Sequence, residues 1–294
     1  MPASLLEPAI VERLAALELA ARVAAEGALA GLHRSPRRGS SVEFAEHKEY
    51  APGDELRHVD WKTYGRSDRL MVKRFEEETE LHVLVVVDAS ESMRYGNGDA
   101  DKLRHASVLA AGLSYILLTR RDRAGLLCST GEAIPIGARP SHLRRILTTL
   151  TTLEPGGEAR LPALLSRADL LTQRRTEVVI LSDLLDGDRD DVLAAVRSLR
   201  ARGHDPIVVQ LLHPDERTLP DGETAWYESK DGDARALVEP AVVREAYLAE
   251  LESLVDGYRT SLARARIPFA ELDTSRPIAD NLALLASTVL AKGR

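Results

Sequence analysis

The stretch LHVLVVVDASESM, residues 81–93, runs a valine-rich segment of strand length into an acid followed by hydroxyls at alternate positions. A nearly continuous apolar run of this length, without polar alternation, suits a strand covered on both faces, which is the habit of parallel sheets. Similar runs recur outward from it: RAGLLCS (123–129), EAIPIG (132–137), EVVILS (177–182), PIVVQLL (206–212) and IPFAELD (267–273). Between them the spacing predicts helices over 101–120, 141–153, 189–202 and 241–265, with a closing helix after 273 and a polar, hairpin-like section after 212. Strands alternating with longer helices predict an α/β fold, a doubly wound, mostly parallel sheet flanked by helices.

The chain has 294 residues, of which 44% are hydrophobic and 29% charged, enough apolar content to build one large domain with an appendage. Its formal charge of −7, with acids and bases interspersed, offers no broad basic face for phosphate neutralisation, so nucleic acid is a poor candidate partner. The single cysteine, Cys128, excludes an internal disulfide and a thiolate cluster, which suits a reducing, cytoplasmic setting. Residues 14–32 are rich in Ala and Leu, yet Glu7, Glu12, Arg13, Glu18, Arg22 and Glu26 punctuate the region. A charge at bilayer depth costs about 2.5–3.5 kcal/mol on insertion scales, so no transmembrane segment is expected. The uncharged run His105–Thr119 is also short of the roughly 20 residues that cross a bilayer. Leu6, Ile10, Leu14 and Leu17 share one helical face, predicting a helix that packs on its own domain and ends in the basic loop HRSPRRGSS (33–41) at Pro36 and Gly39.

In doubly wound folds ligands gather at the carboxyl ends of the strands. Asp88 ends the 81–87 run and Asp183 ends the 177–182 run, which places two acids on one edge, with Ser90 and Ser92 just beyond the first. Hard divalent ions take oxygen ligands and keep several waters, so acids and hydroxyls in this number suffice for Mg²⁺ or Mn²⁺. The same residues also fit a purely local role, capping the following helix and satisfying loop N–H groups. As a phosphoryl-accepting nucleophile Asp88 lacks a partner acid, because position 90 is a serine. His82 and His105 lie in apolar surroundings without H-E-x-x-H spacing, and neither a G-x-S-x-G elbow nor a phosphate-binding G-x-x-x-x-G-K-[ST] loop is present, so no nucleotide is expected.

Upstream, YAPGDELRHVDWKTYGRSDRL (50–70) combines a Pro52-Gly53 turn signal with alternating charges. Asp54, Arg57, Asp60 and Arg66 are spaced to pair across a compact loop, and Trp61 supplies an apolar anchor. The segment reads as a charged brace that clamps the N-terminal arm or as a partner-docking surface, since Trp and Arg are common interface anchors. EEETE (76–80) reads as a solvated entry to the first core strand.

Two of these motifs carry a family resemblance. Asp88-Ala89-Ser90-Glu91-Ser92 resembles the first element of the metal-ion-dependent adhesion site of von Willebrand factor A domains. The positions Phe44, Tyr50, Pro52, Gly53, Asp54, Arg57, Asp60 and Trp61 resemble the signature of the bacterial "domain of unknown function fifty-eight" family. HPDE (213–216), the helix around Tyr247 and DTSRP (273–277) resemble its later segments. The resemblance, over roughly residues 33–290, implies a von Willebrand A-like fold, and the expected organisation is an N-terminal helix and basic linker (1–40), a signature segment packing on the core (41–80) and the α/β domain itself (81–294). It implies an adaptor or assembly factor serving a MoxR-type AAA+ ATPase and its client, with Asp88, Ser90, Ser92 and Asp183 as metal ligands. The adhesion site's second loop normally brings a threonine, but here EPGGEARL (154–161) offers Glu158, Ala159 or Arg160. Water, Glu158 or the charge of Arg160 are the three substitutes for that hydroxyl. The expectation is therefore a cytoplasmic, non-enzymatic protein-interaction module, against a metal-dependent hydrolase using Asp88 and Asp183 and a purely structural scaffold.

Overall fold

The computed structural model describes residues 8–34, 47–50, 59, 61–67, 69–73, 80–156, 160–172, 175–185, 187–220, 225–228 and 235–291. In chain order the elements are α1 (Pro8–Arg34), β1 (His47–Glu49), α2 (Trp61–Ser67), β2 (Met71–Lys73), β3 (His82–Val87), α3 (Lys102–Thr119), β4 (Arg123–Cys128), β5 (Ala133–Gly137) and α4 (Pro140–Thr152). They continue with α5 (Leu161–Leu171), β6 (Glu177–Ser182), α6 (Arg189–Ala201), β7 (Asp205–Leu212), α7 (Pro214–Thr218), β8 (Ala225–Glu228), β9 (Arg235–Val238), α8 (Pro240–Arg264), β10 (Phe269–Asp273) and α9 (Ile278–Leu290). They fall into two compact units, one holding α1 and everything from Glu80 onward, the other holding β1, α2 and β2.

The larger unit is built on a six-stranded sheet in the order β10-β7-β6-β3-β4-β5, parallel except for the β4–β5 pair. This is the α/β, doubly wound, mostly parallel sheet expected from the sequence. Successive side chains of a strand point to opposite faces, and β3 divides accordingly. Val83, Val85 and Val87 join α1, α3, α4 and α9 in one core, whereas Leu84 and Val86 join α5, α6 and α8 in the other. The connection from β3 through α3 leads to β4 on one side, while β6 through α6 leads to β7 on the other. The strand order therefore reverses between β3 and β6, and the crevice at their carboxyl ends is the topological switch point.

The N-terminal helix packs as its apolar face requires: Leu14, Ala21, Ala24, Ala25 and Ala28 are buried in the same core as α3 and α9. Small residues there let the helices approach closely. A Cβ on Gly112 of α3 would stand 2.6 Å from Leu282 Cδ2 and 3.4 Å from the Ala21 carbonyl oxygen. Helix α5, which the sequence reading passed over, buries Leu161, Leu164, Leu165 and Ala168 in the second core. The polar section after β7 contains the antiparallel pair β8–β9. In the smaller unit β1 and β2 pair antiparallel, with Glu49 opposite Met71. Among the described residues no helix is long and apolar enough to cross a membrane.

Candidate functional site at the carboxyl edge of the sheet

Asp88 extends the ladder of β3, its N–H donating to the Leu181 carbonyl at 2.9 Å. The carboxylate turns inward and is fully buried. Its Oδ1 accepts from the Ser90 N–H at 2.9 Å and its Oδ2 accepts from the Ser182 hydroxyl at 2.7 Å. Burial pushes the Asp88 carboxyl up from its ordinary range, the nearby Asp183 charge adds to this, and the bonds from Ser182 and Ser90 oppose it. Ser90 is buried, and its hydroxyl lies 3.1 Å from that of Ser92. The expected residues of the DASES motif thus converge, with the Asp88 oxygens engaged from within the chain.

Asp183 sits just past β6, where Leu184 adopts a left-handed conformation (φ 57°) while remaining buried. A branched residue in that region costs roughly 1–2 kcal/mol, and such backbone strain concentrates at functional sites. Here it accompanies a tight turn in which the Leu184 N–H donates to Ser182 Oγ and the Leu185 N–H donates to Asp183 Oδ1. The Asp183 carbonyl accepts from the Gln210 side-chain amide at 2.9 Å.

The other Asp183 oxygen holds a residue the sequence reading did not single out. Lys102, at the first position of α3, is fully buried, and its ammonium donates to Asp183 Oδ2 at 2.7 Å and to Glu216 Oε1 at 2.6 Å. It also lies 5.9 Å from the centroid of the Tyr95 ring, within cation–π range. Burial alone would lower the Lys102 ammonium, but Asp183 and Glu216 outweigh it and hold it above its ordinary value. Glu216 comes from HPDE, which forms the reciprocal cap of α7: His213 Nδ1 accepts from the Asp215 N–H, and Glu216 Oε2 accepts from the His213 N–H. The Tyr247 hydroxyl on α8 donates to the Glu216 carbonyl at 2.8 Å, and the Tyr95 and His213 rings meet edge to face at 5.2 Å. The resemblance-bearing HPDE and Tyr247 therefore serve one network centred on Lys102. A sequence signal for Lys102 was available, because a cation in the first turn of a helix opposes the helix dipole and needs acids nearby.

The loops of this edge are tied to one another. The Gly156 N–H donates to the Ala89 carbonyl at 2.8 Å, the Ala89 N–H to Ser129 Oγ at 2.8 Å, and Arg94 Nη2 to the Pro155 carbonyl at 2.8 Å. Of the second-loop candidates, Arg160 is exposed ahead of α5, while Glu158 and Ala159 lie outside the described residues. His105 is a core residue whose Nε2 lies 2.9 Å from the Asn281 side-chain nitrogen.

The carboxylate oxygens expected to ligate a divalent ion are engaged within the chain. Asp183 Oδ2 is already in contact with an ammonium, and both Asp88 oxygens accept from internal donors. Among the described residues no group of three or more His, Cys, Asp or Glu side chains converges as a metal site. In the smaller unit, Tyr50 is half-buried at the end of β1, its N–H donating to the Leu70 carbonyl at 2.9 Å. Arg66 is exposed on α2. Trp61 is 62% exposed and meets Tyr64 edge to face, so its ring is a surface feature. Asp54, Arg57 and Asp60 lie outside the described residues.

The chain is 27% identical over 290 residues to uncharacterized protein Rv1480 of Mycobacterium tuberculosis, covering 96% of this chain and 90% of that protein. It has the same identity and coverage with uncharacterized protein Mb1516 of Mycobacterium bovis. Among solved structures it is similar to BatB from Bacteroides thetaiotaomicron, with 15% identity, a TM-score of 0.47, and 72% of this chain and 99% of that one covered. It is also similar to the SpRpn10 VWA domain, with 10% identity, a TM-score of 0.41, and 69% and 94% covered. Residues 46–253 match the family described as "Protein of unknown function DUF58", and the chain belongs to that family.

Proposed function

We propose that this protein is a non-enzymatic, cytoplasmic interaction module that presents the carboxyl edge of its sheet to a protein partner, a MoxR-type AAA+ ATPase in the first instance. The observation that carries this reading is the tying together of three edge loops around an internally satisfied acid network. A surface fixed in this way loses little conformational entropy on docking. Its rim offers Arg94, Tyr95 and Glu154 to solvent, and Arg and Tyr are frequent interface anchors. A hydrolase, by contrast, needs an acid that can reach substrate, and Asp88 is sealed with both oxygens engaged. The exposed Trp61 with Tyr64 is a second candidate contact surface in the signature segment.

The test is biolayer interferometry between the full chain and the purified MoxR-type ATPase of the same bacterium. Saturable binding that weakens tenfold or more in the exposed-rim variant Arg94→Glu/Tyr95→Ala supports the reading. No binding removes the ATPase as partner, and unaltered binding by the folded variant moves the contact away from this edge. Phosphoester or peptide turnover that vanishes in Asp88→Ala would establish the hydrolase instead.

A further inference from the structure

We infer that Lys102 is the resident cation of the carboxyl edge: its ammonium supplies the positive charge that an adhesion-type site takes from a divalent ion, so the edge is assembled without metal. The placement of Lys102 is the first support. Its ammonium is fully buried and bridges Asp183 at 2.7 Å and Glu216 at 2.6 Å, two acids separated in sequence and delivered by different strand ends. A buried lysine at a helix N-terminus opposes the dipole and forfeits hydration, and is tolerated only where acids compensate.

The surroundings of the acids are the second support. Mg²⁺ demands near-octahedral oxygens at about 2.0–2.1 Å. A divalent ion on Asp183 must therefore displace the ammonium from Oδ2 or sit beside a like charge in a low-dielectric crevice. Both Asp88 oxygens already accept internal hydrogen bonds, from Ser182 and from the Ser90 N–H. Glu216 is held by the α7 cap and by Tyr247 above it. The chain thus supplies both the cation and the second carboxylate, and closes the crevice between β3 and β6 with its own residues. This inference concerns the ion alone and stands apart from the identity of any partner.

Mn²⁺ binding to the full chain, followed by electron paramagnetic resonance and calorimetry, tests it. The wild type is expected to show no saturable Mn²⁺ site up to about 1 mM, the weak end of protein sites for hard cations. Its thermal midpoint should be the same in chelator and in Mn²⁺. Lys102→Ala, which vacates the ammonium, is expected to gain one Mn²⁺ site that Asp183→Asn in the same background abolishes. A wild-type Mn²⁺ site that disappears in Asp183→Asn overturns the inference. So does a folded Lys102→Ala that gains no site, because the ammonium is then not what excludes the ion. If Lys102→Ala does not fold, Lys102→Gln takes its place in the titration; if neither folds, the wild-type titration with its Asp183→Asn control decides.

Discussion

Lys102 Nζ and Asp183 Oδ2, 81 residues apart in sequence, meet at 2.7 Å in a crevice where both side chains are fully buried. Removing one partner of such a pair leaves an uncompensated buried charge, which typically costs about 3–5 kcal/mol. Lys102→Met keeps an unbranched apolar stem, one heavy atom shorter, and deletes the ammonium together with its hydrogen bonds to Asp183 and Glu216. We expect it to lose stability in that range in urea denaturation, with an unchanged slope against denaturant. A loss below about 1 kcal/mol would mean that the pair is solvated in solution.

The architecture was readable because its signals are local. Apolar runs at β3, β6 and β7 and amphipathic helices between them fix both faces of the sheet, and Asp88 and Asp183 follow from where those runs stop. Lys102 and Glu216 were harder to see because each looks ordinary in its own segment: a lysine beside the Asp101 cap, and a glutamate in a short helix. Their meaning lies in a contact across 114 residues that no periodicity encodes. Helix α5 was overlooked for a different reason. Arg160 precedes it without a side-chain cap, and Pro162 near its start reads as a breaker although proline is favoured in a first turn.

Tyr247 provides a finer probe of the same network. Its hydroxyl donates to the Glu216 carbonyl, and burial, reinforced by the Glu216 charge, pushes its phenol up to about 12. Tyr247→Phe deletes one hydrogen bond while keeping the ring. We expect a loss of about 0.5–1.5 kcal/mol in the same denaturation experiment. A double-mutant cycle with Glu216→Gln should show coupling between the two positions, because they share one cap; strict additivity would separate Tyr247 from the network.

His142 gives a pH dependence away from the carboxyl edge, beside the start of β4. Its Nε2 lies 2.8 Å from the Ala124 carbonyl and donates to it as the neutral tautomer, and burial, with Arg145 adding to it, holds the imidazole below its ordinary value of 6.5. The unfolded chain therefore binds this proton at a higher pH than the folded one. Its contribution is fully present above 6.5 and declines as pH falls from there through the folded value. We expect His142→Gln to lack that component of the acid-side decline, and the His142 ring resonances to titrate below 6.5 by NMR.

Asp88 runs with the opposite sign. Its carboxyl is raised in the folded state, chiefly by burial and then by Asp183, so folding favours the protonated acid. The resulting penalty is absent below the ordinary value of 3.8, grows as pH rises through the folded value, and is constant above it. Asp88→Asn retains an oxygen to accept from the Ser90 N–H, and its amide can donate to Ser182 once that hydroxyl turns to accept. We therefore expect Asp88→Asn to be more stable than the wild type near neutral pH, with the gain shrinking toward pH 4. A metal-ligating Asp88 predicts a different outcome: added Mn²⁺ would stabilise the wild type and spare the variant, whereas a carboxylate engaged by Ser90 and Ser182 leaves both unchanged.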